Sequence, residues 1–100
     1  MANASYNRYS LEYKCPIDRQ YHRVAVNGDI KRYTGIKNAR AGAYRFLREH
    51  PTIDVVAIFG GRRLNPTAGV VKRELGKIVW YDYYNHGRKH ILNSNGTVVY

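Results

Sequence analysis

The segment YTGIKNARAGAYRFLREHP, residues 33–51, decides how the rest of the chain must be arranged. At about 100° per residue, Ile36, Ala39, Ala43, Phe46 and Leu47 fall on one stripe of a helix. Lys37, Arg40, Tyr44, Arg45 and Arg48 make a second, basic stripe on the far side. Thr34 is placed to act as N-cap, its hydroxyl accepting from an amide of the first turn. Pro51 ends the pattern, because proline disfavours helical geometry in the residue before it. The spacing therefore predicts a helix over 35–49. One such helix cannot bury its apolar stripe alone, so the flanking sequence must supply a layer for it to pack on.

That layer reads as a sheet. Upstream, YHRVAVNGDIKRY carries Asn27-Gly28 between two short runs rich in Val, Ile and Tyr. This pair favours a tight hairpin turn, since both central residues tolerate positive φ. Strands are expected near 20–26 and 29–33. Downstream, Ile53 to Phe59 is β-branched and apolar on both alternations, which suits a central strand. Shorter runs near 70–75, 78–84 and 89–93 follow, separated by turn residues, and Asn95-Gly96 offers a C-terminal hairpin. Turn-length connections make such strands antiparallel neighbours. The predicted class is α+β: a single small domain with one helix packed on a mainly antiparallel sheet, in the order β-β-α-β-β-β. Trp80 alternates with Ile78 and is expected to point with it into the core. Residues 1–19 read as an N-terminal arm or a weak edge strand near 8–14, and 20–100 as the α+β domain.

Charge is the unusual term in the composition. The 100 residues hold 17 Lys plus Arg against 7 Asp plus Glu, a formal charge of +10, and 10 of the 13 aromatic residues are tyrosines. A basic, tyrosine-rich domain of this size fits a polyanionic partner, nucleic acid first. No apolar run approaches the ~20 residues needed to span a bilayer, and no signal-like segment opens the chain. A cytoplasmic protein without a membrane partner is the default expectation.

Candidate binding residues are those that combine charge or a ring with an exposed position. On the helix they are Lys37, Arg40, Tyr44, Arg45 and Arg48. At or near predicted turns lie Arg62, Arg63, Lys72, Arg73, Arg88 and Lys89. Tyr81 and Tyr83 share one side of a predicted strand, and bases of single strands stack on such rings. The competing explanation is structural: tyrosines are good strand formers, and charged helix faces are commonly only solvated.

Catalytic chemistry finds little support. Cys15 is the single cysteine, so neither an internal disulfide nor a cysteine zinc site is expected. It lacks a motif that would make it a nucleophile, although His22 is near in sequence. Asp82, His86 and His90 recur every four residues, but Asn85 and Gly87 break the helix on which that spacing would align ligands. No phosphate-binding glycine loop is present, and the carboxylates are dispersed. Neither a metal nor a cofactor is expected.

Three functions remain in view. The first is a non-enzymatic nucleic-acid-binding module dominated by phosphate contacts. The second is a phage or mobile-element accessory protein that inhibits a host nucleoprotein, such as a CRISPR effector, by protein–protein contact; it rests on size and charge alone. The third is a small metal-independent ribonuclease or toxin using His86 or His90 beside Arg88.

Overall fold

Why the chain needs its helix where it is becomes clear from the first strand. In the computed structural model, which describes residues 8–60 and 67–99, β1 (Arg8–Lys14) lies inside the sheet. On one side it pairs with β6 (Val55–Gly60) from Tyr9 to Tyr13. Its other side is shared by two short strands, β5 (Arg32–Thr34) at its start and β2 (Tyr21–Arg23) at its end. The expected edge strand near 8–14 thus forms, but in an interior position. Its alternation of Tyr9, Leu11 and Tyr13 with Ser10 and Glu12 is that of a strand with one face on a core. β2 follows β1 after a short turn, but β5 and β6, which complete its interior position, are distant in sequence and leave no local signature.

Both β5 and β6 run antiparallel to β1, so they are parallel to each other with β1 between them. A parallel connection needs a crossover, and the helix α1 (Ile36–Glu49) provides it. The helix therefore crosses over β1 and packs on β1, β5, β6 and β7 (Thr67–Glu74). Beyond β6 the chain continues as a meander through β7, β8 (Lys77–Asp82) and β9 (Arg88–Ile91), each pair antiparallel. The class expected from sequence, one helix on a mainly antiparallel sheet, is the class observed.

The early hairpin is kinked rather than continuous. Its tip, β3 (Ala25–Val26) and β4 (Asp29–Ile30), is a separate two-stranded ribbon. Asn27 and Gly28 turn it at φ 55° and 86°, the left-handed pair that the sequence called for. Val24 marks the kink, donating its amide to Leu11 O at 2.9 Å. At the other terminus the chain returns along β9 without forming a full strand. Leu92 bridges Val98, and Val99 N donates to Ile91 O at 2.8 Å. This turn lies on the helix, where a side chain at Gly96 would meet Ala41 Cα at 2.9 Å.

The expected helix spans one residue less than predicted and starts differently. Thr34 closes β5, and the N-cap is Gly35 at φ 81° with no side-chain cap hydrogen bond. A positive φ there lets strand turn directly into helix, which only glycine does without steric cost. At the far end His50 N and His50 Nδ1 both contact Phe46 O, and Pro51 follows.

Ala39, Ala43 and Leu47 face a core of Leu11, Val56, Ile58, Val71, Ile78 and Trp80. Trp80 is 2% exposed, as its alternation with Ile78 predicts. Gly42, on the same helix face, leaves room for the Tyr33 ring. Among the described residues the largest fully buried side chains, Leu11, Leu47, Ile58, Val56 and Val71, all belong to this layer. Burying each contributes about 1.5–3 kcal/mol.

Candidate nucleic-acid interface

Among the described residues only one face of the sheet carries an α-helix. Side chains of directly paired residues share a face and alternate along a strand, so the register, shifted once between Ile58 and Phe59, assigns the other face. Arg23, Glu12, Ala57, Val70, Tyr81 and Lys89 form one row across it. Val55, Lys72, Val79 and Ile91 form the next, and Arg32, Ser10, Phe59 and Thr67 a third. Ala57, Val70 and Val79 are buried yet lie outside the cluster packed on the helix. Val79 lines a groove on this face with Glu74, Lys77, Lys89 and Ile91. The helix-free face therefore has an apolar and aromatic floor with cations around it.

Tyr81 is its best-defined feature. Lys72 Nζ and Lys89 Nζ stand 5.7 and 6.0 Å from its ring centroid. Its hydroxyl donates to Glu74 Oε2 at 2.7 Å, and Glu74 pairs with Lys89 at 3.0 Å and Lys72 at 3.7 Å. The Tyr81 hydrogen bond, followed by the one from Lys89, holds the Glu74 carboxyl below its ordinary range. The same carboxylate raises the Tyr81 phenol and the Lys89 ammonium, in each case first through its hydrogen bond. Glu74 thus holds one ring and two ammonium groups in a fixed array. On this face Glu12 is likewise matched, by Arg23 at 3.7 Å. The remaining cations, Arg8, Lys14, Arg32 and Lys77, are exposed.

The candidates taken from sequence divide into three groups. Lys72, Tyr81 and Lys89 meet on the helix-free face. Lys37, Tyr44 and Arg48 lie on one flank of the helix, with the Arg48 guanidinium 6.0 Å from the Tyr44 ring centroid. Arg40 sits deeper beside them, its Nε 3.4 Å from Gly96 O, and burial lowers its pKa. Arg45 turns to the other flank, where it lines a groove with Val24, Lys31 and Tyr33. This helix layer and the open sheet face are opposite sides of the molecule, so the thirteen candidates are not one surface.

Three further candidates are placed differently from the sequence expectation. Arg73 points to the helix side of β7, where its guanidinium donates to Leu47 O and Ile53 O and pairs with Asp54 at 3.3 Å. It is committed to holding the helix C-terminus against the sheet. Tyr83 does not share a strand face with Tyr81. Asp82 ends β8 by accepting from Tyr84 N, and Tyr83 begins a 3-10 turn, Tyr83–Asn85. Arg88 is exposed and paired in register with Asp82, on the helix side of β9. Arg62 and Arg63 lie outside the described residues.

Sequence reasoning missed Lys14, Arg23, Arg32, Phe59 and Lys77, which share the open face with Tyr81. The signal available was strand parity: Lys77 and Tyr81 are four apart on one strand, as Val55 and Phe59 are. It also missed the one place among the described residues where three metal-ligating side chains converge, Cys15, Asp18 and His22. Asp82, His86 and His90 do not converge; His86 sits in a left-handed turn at φ 57°. Among the described residues no helix is long and apolar enough to cross a membrane. Comparison with protein-family models, curated proteins and solved structures gives no match to this chain.

Proposed function

We propose that this chain is a non-enzymatic nucleic-acid-binding module that lays a single-stranded segment across the helix-free face of its sheet. The observation that carries the reading is Tyr81, held between two lysines on a face with an apolar floor and a cationic rim. A single strand offers bases that stack on such a ring and phosphates that take up the surrounding ammonium and guanidinium groups. Six strand positions at about 4.8 Å spacing give a platform on the order of 24 Å wide. That is room for about four nucleotides or more. The chain's net charge of +10 supplies long-range attraction. Duplexes present no bases for stacking and are expected to bind more weakly.

Fluorescence anisotropy with a short single-stranded oligonucleotide at low salt tests this. The wild-type chain is expected to bind, and Lys72→Gln with Lys89→Gln to weaken binding about tenfold or more. Lys37→Gln with Arg48→Gln on the helix flank is expected to change it less than about threefold. The opposite ranking moves the site to the helix. An absence of binding by the wild-type chain at low salt, or metal-free degradation of an RNA oligonucleotide, overturns the reading in favour of a protein partner or a ribonuclease respectively.

A further inference from the structure

The turn between β1 and β2 gathers chemistry that the sheet face does not use. Its backbone is closed by Cys15 N donating to Gln20 O and Arg19 N donating to Cys15 O, both at 2.9 Å. Within it the Cys15 sulfur, an Asp18 carboxylate oxygen and a His22 ring nitrogen all lie within 4.8 Å of one another. His22 Nε2 is 2.9 Å from Asp18 Oδ2, while Asp18 Oδ1 accepts from Gln20 N at 2.8 Å. The His22 ring is stacked on Tyr13, centroids 5.6 Å apart at 26°. Two of the three side chains are thus oriented by partners other than the third.

We propose that Cys15, Asp18 and His22 form a three-ligand site for a borderline-soft divalent cation, with zinc(II) the best chemical fit. One thiolate, one carboxylate and one imidazole are the donor types zinc takes, at about 2.0–2.3 Å from the ion. Donors of a tetrahedral zinc stand about 3.3–3.6 Å apart, so the Asp18–His22 pair at 2.9 Å opens slightly and the remaining pairs, within 4.8 Å, draw in. The thiolate and carboxylate charges balance the ion. Binding breaks the Cys15 S–H bond and releases that proton to solvent, while the proton that His22 Nε2 shares with Asp18 passes through solvent to Nδ1, so that the Asp18–His22 hydrogen bond is replaced by one metal bond from each residue. With three protein ligands the fourth position belongs to water or to a ligand from outside the chain. Cys15 also lines a cavity of about 280 Å³ with Lys14 and Arg19. An anionic fourth ligand is favoured beside those cations.

Cobalt(II) titration of the full chain, followed by zinc(II) competition, tests the site. The expected result is one cobalt per chain, with a thiolate-to-cobalt charge-transfer band and tetrahedral visible bands that zinc abolishes. Cys15→Ser must remove the charge-transfer band. Asp18→Asn and His22→Gln must weaken zinc binding beyond the about 10- to 100-fold that loss of an outer-shell partner costs. His86→Asn, at a turn away from the site, must leave it unchanged. Circular dichroism checks that each variant is folded. A wild-type titration without the charge-transfer band, or zinc affinity indifferent to Asp18→Asn and His22→Gln, overturns the proposal and leaves the cluster as a hydrogen-bonded turn.

Discussion

Tyr81 carries two interactions that a single substitution can separate. Its hydroxyl donates to Glu74, and its ring lies beside Lys72 and Lys89. Tyr81→Phe deletes the first and keeps the second. Because that hydrogen bond is the largest cause of the lowered Glu74 pKa, Tyr81→Phe is expected to move the Glu74 titration up toward its ordinary value, read by carboxyl-carbon NMR. The sign of the linkage is fixed. A carboxyl with a depressed folded pKa adds stability above its unfolded pKa and loses it as pH falls through the folded one. The group is open to solvent, so the effect on overall stability is small. Oligonucleotide affinity is expected to survive Tyr81→Phe within about threefold, whereas Tyr81→Ala forfeits about 1–3 kcal/mol of stacking.

At the scale of elements, α1 and β7 are tied by Arg73, whose guanidinium meets carbonyls at the helix end and before β6. Arg73→Met keeps most of the stem and leaves those carbonyls without their charged donor. The expected loss is about 2–3 kcal/mol of unfolding free energy, measured by urea denaturation, with no change in oligonucleotide affinity for the folded protein. Packing within the sheet is tighter still. A methyl at Gly69 would collide with the Tyr81 carbonyl oxygen and the Trp80 ring. Gly69→Ala is expected to destabilise by about 1–3 kcal/mol or more, measured the same way. The helix itself was legible in sequence because its apolar period repeats over four turns. Its cap was not, because Thr34 and Gly35 both suit a helix start and only the backbone angle at Gly35 decides between them. The strand at 8–14 was legible as an alternation, but its interior place depends on pairing with Tyr33 and Ile58, far along the chain. The site divides in the same way. Lys72 and Arg73 looked equivalent at a turn, and the sheet sends one to each face.

For the molecule as a whole, the opposition of two basic layers turns a diffuse charge into a directional prediction. The helix packs on one face of the sheet and the open basic face is the other. A short oligonucleotide cannot neutralise both at once. Counterion release makes the slope of log affinity against log salt a count of phosphates contacted, about −0.7 per contact for a single strand. Binding on the open face therefore requires that Lys72→Gln and Lys89→Gln each flatten the slope by about 0.7, while Lys37→Gln and Arg48→Gln lower affinity slightly without altering it. Long-range attraction depends on total charge, so all four substitutions are expected to slow association at low salt by similar factors. Equal slope changes from both layers would mean a ligand wrapped around the molecule, and slope changes confined to the helix would place the strand there. Stopped-flow and equilibrium anisotropy over one salt series distinguish the three, because the equilibrium slope reports location while the association rate reports only net charge.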